Sequence, residues 1–105
     1  TGYALSAGGP IVMPDAAVLL VALMCPHTLS TRPLILPDES TVEIRMVKSS
    51  EPVLLLSDGQ RIDPLAPGDR VVVSRTGAVR FAHVPGYDYF SVLRQKLHWR
   101  GTALE

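Results

Sequence analysis

Charge imbalance, cysteine and long apolar runs are the things this chain of 105 residues has least of. Ten basic residues offset ten acidic ones, so no net field draws the chain to nucleic acid or to an anionic membrane. Neither is expected as a partner. A single cysteine, Cys25, excludes an internal disulfide and fits a reducing compartment. The longest strictly apolar run, residues 16–25, is ten residues, against the roughly 20 that a spanning helix needs. No charged segment precedes an apolar stretch at the start, which is Thr1 and not Met, so no secretory leader is expected. A cytoplasmic location follows as the expectation. Repeats and low-complexity segments are missing too, with Pro and Gly scattered as punctuation.

What is present is unevenly placed. Residues 1–68 carry a net charge of −3, whereas residues 69–100 carry +4. The opening TGYALSAGG reads as a short helix, with Thr1 as N-cap and Gly8-Gly9 and Pro10 as its stop. The apolar run 16–25, bounded by Pro14 and Pro26, has the length of a buried strand, although its Ala and Leu content also suits a short helix. Leu34-Ile35-Leu36 is a second short run, ended by Pro37. Residues 41–47 alternate, with Val42, Ile44 and Met46 on one face. Residues 52–56 are continuously apolar and lead into Asp58-Gly59, a hairpin turn. A second turn, Ala66-Pro67-Gly68-Asp69, opens a strand over 70–75, and Gly77 turns the chain back into another over 79–84. Residues 89–99 read as a helix, with Phe90, Leu93 and Leu97 on one face. The pattern predicts a mainly β chain, packed as β-sandwich-like sheets, with a short helix at each end. A chain of this size buries a modest core, and the terminal helix can cover one open sheet edge.

Most familiar chemistry finds no footing. Cys25, His27, His83 and His98 form no pair with zinc or iron spacing, and Cys25-Pro26-His27 is too tight for one. A buried thiol beside a loop imidazole is the plainer reading of that tripeptide. Ser6 lies in no G-x-S-x-G elbow, and both the Walker loop and G-x-G-x-x-G are absent. Thr1-Gly2-Tyr3 is left as a helix start with free N–H groups, open either to a polar ligand or to an ordinary cap. The four arginines Arg70, Arg75, Arg80 and Arg94 read as solvated charges on strand edges and helix.

The motifs themselves say more. TGYALSAGGPIVMPD (1–15) closely resembles the segment that opens the C-terminal domain of NAD kinases, typically G-S-T-A-Y-x-x-S-A-G-G-P-I-v-x-P. MCPHTLSTRPLILP (24–37) resembles the family's next block, commonly I-C-P-H-S-L-S-x-R-P-l-V-l-P. LSDGQ (56–60) is similar to its D-G-Q hairpin, and PGYDYFSVLRQKLHW (85–99) to its closing helix. The four blocks keep the family's order and span almost the whole chain.

The resemblance implies a two-domain enzyme that phosphorylates the adenosine 2′-hydroxyl of NAD, from ATP or polyphosphate, to give NADP. Residues 1–105 would be its β-rich, NAD-binding C-terminal domain, the α/β N-terminal domain lying outside this chain. By position, Thr1, Tyr3 and Ser6 are expected to contact NAD: the two hydroxyls can bond adenine or ribose, and the Tyr3 ring can stack on the ligand. Cys25 and His27 are expected near the dinucleotide as well. Gly2 stands where alanine is commoner, which softens the helix start. The family's G-G-D-G and N-E/D motifs are not in this sequence, so no catalytic residue and no metal ligand is assigned to it. A divalent cation, Mg²⁺, is expected for the full enzyme and not for this chain alone. Alone, the chain is expected to be inactive, and its half-open cleft to drive homo-oligomer formation. The alternatives are the corresponding domain of a lipid or sphingoid-base kinase, and a non-enzymatic β-sandwich binding module.

Overall fold

Gly8 decides how the chain begins to fold. In a computed structural model, which describes residues 2–99, the first helix, α1 (Gly2–Ser6), is only five residues long. Gly8 takes the left-handed φ of 79°. Its N–H donates to the Leu5 carbonyl at 3.0 Å, and the Gly9 N–H donates to the Ala4 carbonyl at 2.7 Å. These are the paired bonds of a Schellman stop. Pro10, which has no N–H to give, comes next. The expected N-cap, Thr1, lies outside the described residues.

Six strands follow among the described residues: β1 (Val18–Val21), β2 (Leu34–Pro37), β3 (Val42–Arg45), β4 (Val53–Ser57), β5 (Gln60–Leu65) and β6 (Arg70–Val73). Helix α2 (Tyr89–Lys96) comes last. The strands form three antiparallel pairs, β1–β2, β3–β6 and β4–β5. Mainly β with a short helix before and a helix after is the architecture the sequence leads one to expect. The β4–β5 hairpin turns on Asp58 (φ 48°) and Gly59 (φ 78°), with Ser57 opposite Gln60. Two successive positive φ values make a two-residue turn whose twist matches that of the strands. At Ala66–Asp69, Gly68 has φ 95° and the Asp69 N–H donates to the Ala66 carbonyl at 3.0 Å. Pro before a positive-φ Gly is the type II pattern.

Residues of β1 (Leu19, Leu20, Val21), β3 (Val42, Ile44) and β6 (Val73) line one apolar hollow of ≈ 270 Å³. This shared hollow is where residues of the two sheets approach each other. It is not closed: no described side chain is fully buried. The chain exposes 9455 Å², where a self-contained protein of 11.4 kDa exposes about 5,800 Å². Its radius of gyration is 17.6 Å, against about 13 Å for a compact chain of this length.

Three local expectations need correcting. Residues 79–84 form no strand, although their apolar residues recur as in one. Val79, Phe81 and Val84 are 80%, 81% and 75% exposed. A strand is held by hydrogen bonds to a neighbouring edge, and here none of the described strands pairs with this segment. The run 16–25 becomes a strand only over Val18–Val21, with Leu23 and Met24 largely exposed. In α2, Tyr89 shares the covered face with Leu93 and Leu97, while Phe90 is half exposed. The spacing of that stripe is thus i, i+4, i+8.

Candidate functional site

Helix α1 lies across β1 and contributes to a different hollow on each side. Leu5 faces α2, in an apolar hollow of ≈ 160 Å³ shared with Val12, Leu20, Tyr89, Leu93 and Leu97. Tyr3, Ala4 and Ala7 line a second, of ≈ 210 Å³, with Leu20, Ala22 and Met24. Leu20 of β1 belongs to both and sits beneath the helix.

The start of α1 opens into a third and larger hollow of ≈ 790 Å³. Its walls are Gly2 and Tyr3 from α1, Met24 from the loop after β1, and Leu56, Asp58 and Gly59 from the β4–β5 turn. Met24 and Leu56 make it apolar, and the Asp58 carboxylate adds one acidic group. Tyr3 is 71% exposed, so most of its ring is free for a ligand. The hairpin geometry fixes the Asp58 backbone here, at φ 48° in the first position of the two-residue turn.

The sequence-assigned residues fare differently. Tyr3 lines this hollow. Ser6 does not; its hydroxyl donates to the Gly2 carbonyl at 2.9 Å, one helical turn back, and keeps its lone pairs for accepting. Thr1 lies outside the described residues. Cys25 and His27 are both exposed, on the loop that brings Met24 to the hollow, and neither lines it. Cys25 has φ 49°, which turns the chain out of the β1 direction, so the buried-thiol reading does not hold. The loop is tied to itself beyond that point: Thr28 and Thr31 share a 2.5 Å hydroxyl bond, and Arg32 donates to the carbonyls of Leu29 and Thr31, each at 3.0 Å. Met24, Leu56 and Asp58 were not assigned from the sequence. The LSDGQ block signalled Asp58, but only as a turn residue.

Electrostatic perturbation is found at the far end of the chain. Asp88 caps α2, accepting from the N–H groups of Phe90 (3.3 Å) and Ser91 (3.0 Å) and from the Ser91 hydroxyl (2.8 Å). The Ser91 hydroxyl bond, with lesser help from those two N–H groups and Arg94, holds its carboxyl below the ordinary aspartate range.

Fold and hollow together define a class: a β-rich domain flanked by two helices, with a concave apolar face that carries one acid and one aromatic ring. Residues 1–84 match the family described as ATP-NAD kinase C-terminal domain, and the chain belongs to that family. It is 41% identical over 104 residues to an NAD kinase of Magnetococcus marinus, covering 98% of this chain and 34% of that protein. The NAD kinase of Aquifex aeolicus is 45% identical over 100 residues, covering 94% of this chain and 36% of that protein. The chain thus spans about a third of the length of the curated relatives it matches. Among solved structures, that of yeast NADH kinase complexed with NADH matches with a TM-score of 0.76 and 30% identity, over 97% of this chain and 33% of that one.

Proposed function

We propose that this chain is the β-rich, NAD-binding part of an NAD kinase. That enzyme transfers a phosphoryl group from ATP or polyphosphate to the adenosine 2′-hydroxyl of NAD and releases NADP. One observation carries the reading. Three sequence blocks that resemble the family, TGYALSAGGP, MCPH and LSDGQ, are far apart in the chain, yet Tyr3, Met24 and Asp58 from them line one hollow. The NADH in the yeast relative's structure supports a dinucleotide as the occupant.

Within that reading the roles follow from side-chain chemistry. The exposed Tyr3 ring stacks on a base, Met24 and Leu56 form an apolar floor, and the Asp58 carboxylate accepts from a ribose hydroxyl or an adenine amino group. Thr1, Ser6, Cys25 and His27 are proposed to border the ligand once the cleft is complete. The other wall is an α/β domain outside this chain, which supplies the acceptor-activating acid and the donor site. Mg²⁺, used with the phosphate donor, would also be held there. No chemical step is assigned to this chain. A cytoplasmic enzyme that self-associates completes the reading; among the described residues no helix is long and apolar enough to cross a membrane.

The test is NADP formation by the full-length parent protein, with ATP and with polyphosphate as donors. Tyr3→Ala and Asp58→Ala are expected to raise KM for NAD by roughly tenfold each, a loss on the order of 1.4 kcal/mol, and to leave KM for the donor unchanged. No NADP from any donor, or phosphorylation of a sphingoid base in place of NAD, would overturn the proposal.

A further inference from the structure

Helix α2 has no role in the reading so far. The family match ends at residue 84, before α2 begins, and none of its residues lines the ≈ 790 Å³ hollow. It nevertheless makes a specific bond to the segment that bears Tyr3. The half-buried Tyr89 hydroxyl donates to the Val12 carbonyl at 3.1 Å, joining positions 77 residues apart. Tyr89 and the next residues of its stripe, Leu93 and Leu97, meet Leu5 of α1 in the ≈ 160 Å³ hollow.

Helix α1 needs such support. Five residues are too few for a helix to hold itself in water, because nucleation costs more than so short a helix returns. The Schellman stop fixes where α1 ends, but not how it is rotated about β1. Rotation would carry Tyr3 away from Met24 and Asp58. On one side the Met24 loop limits that movement; on the other, α2 does.

We infer that Tyr89 is a positioning residue: its bond to Val12 locks α2 against the 10–12 segment and so holds α1, and with it Tyr3, in register with the other walls of the dinucleotide hollow. What α1 binds rests on the NAD kinase reading; that Tyr89 holds α1 does not.

The full-length parent protein with Tyr89→Phe, which removes one oxygen, tests it. Loss of a single hydrogen bond is expected to raise KM for NAD about three- to tenfold, with kcat and the KM for ATP within about twofold of wild type. Amide hydrogen exchange at Ala7, Gly8 and Gly9, whose N–H groups close α1, is expected to speed up by a similar factor, while the β4–β5 amides hold. A purely structural role would instead lower the active fraction, moving kcat and not KM, and would raise exchange throughout. Ser91→Ala, which weakens the α2 cap without touching α1, is the matched control and is expected to shift KM for NAD less. Unchanged KM for NAD together with unchanged exchange at residues 7–9 would overturn the inference. Should the wild-type parent form no NADP, the kinase reading falls, and the exchange measurement still decides whether Tyr89 holds α1.

Discussion

Replacing each of the two glycines after α1 by alanine separates backbone conformation from steric clash. Gly8 sits at φ 79°, and a Cβ built on it meets no atom within 4 Å. The only cost of Gly8→Ala is therefore the left-handed conformation, about 1 kcal/mol. Gly9 has no positive φ, but its Cβ would lie 2.6 Å from the Ala4 oxygen and 3.1 Å from the Ala4 carbonyl carbon. Both are backbone atoms of α1, so no side chain can swing aside to make room. The Gly9 N–H to Ala4 bond, now 2.7 Å, must lengthen or break. One lost hydrogen bond and the displaced turn together cost about 2–3 kcal/mol. Gly8→Asn should recover most of the Gly8→Ala loss, because asparagine tolerates the left-handed region. Urea midpoints of the full-length parent and its variants, compared at a common slope, give the ranking. The expected order of stability is wild type, Gly8→Asn, Gly8→Ala, Gly9→Ala. A Gly9→Ala protein as stable as Gly8→Ala would refute the packing argument.

Two further outcomes can be measured. The Asp88 carboxyl is held below its ordinary value by the Ser91 hydroxyl and the α2 amides, so its capping contribution is fully present above the ordinary aspartate value of about 3.9 and is lost as pH falls through the lowered one. The Phe90 and Ser91 amide resonances should report a midpoint below 3.9, and in Asp88→Asn, which caps without titrating, the step should vanish; a midpoint at or above 3.9 would contradict the assignment. The chain on its own should form no NADP and should self-associate, since its exposed area of 9455 Å² exceeds that of a compact chain by about 3,700 Å², more than the roughly 1,600 Å² a standard interface buries. A clean monomer in equilibrium ultracentrifugation at high concentration, or micromolar NAD affinity by calorimetry, would count against this.

The parts of the fold that were legible are those decided within a few residues. Asp58-Gly59 reads as a hairpin turn because only that backbone twist suits two strands so close together, and the φ values of 48° and 78° are what the residues permit. Gly8-Gly9-Pro10 and Pro67-Gly68 are read for the same kind of reason. The Asp88 cap is equally local, an acid just before a helix and three residues from a serine, although the sequence reading gave it no role. Residues 79–84 failed for a different cause. Alternation reports which side chains would share a face, whereas pairing depends on an edge elsewhere in the chain or beyond it. The hollow is non-local in the same sense. Resemblance pointed to Tyr3, but Met24 and Asp58 join it only because β1 and the β4–β5 hairpin bring their ends together.

This division between local and non-local bears on how the site works. Each sheet has two strands, and the tight stops and turns at Gly8, Asp58-Gly59 and Gly68 set their local shapes without help from a closed core. The distances between those shapes, which determine whether Tyr3 faces Asp58, depend instead on apolar contacts that remain open to solvent. Such contacts resist displacement weakly, because each carries little area out of water. A ligand that must align the walls as it binds spends part of its interaction energy doing so. The Tyr89–Val12 hydrogen bond, which ties the last helix to the first segment, therefore counts for more here than it would inside a filled core. Covering the open sheet faces would stabilise the same alignment, so whatever covers them would act on ligand affinity as well as on folding.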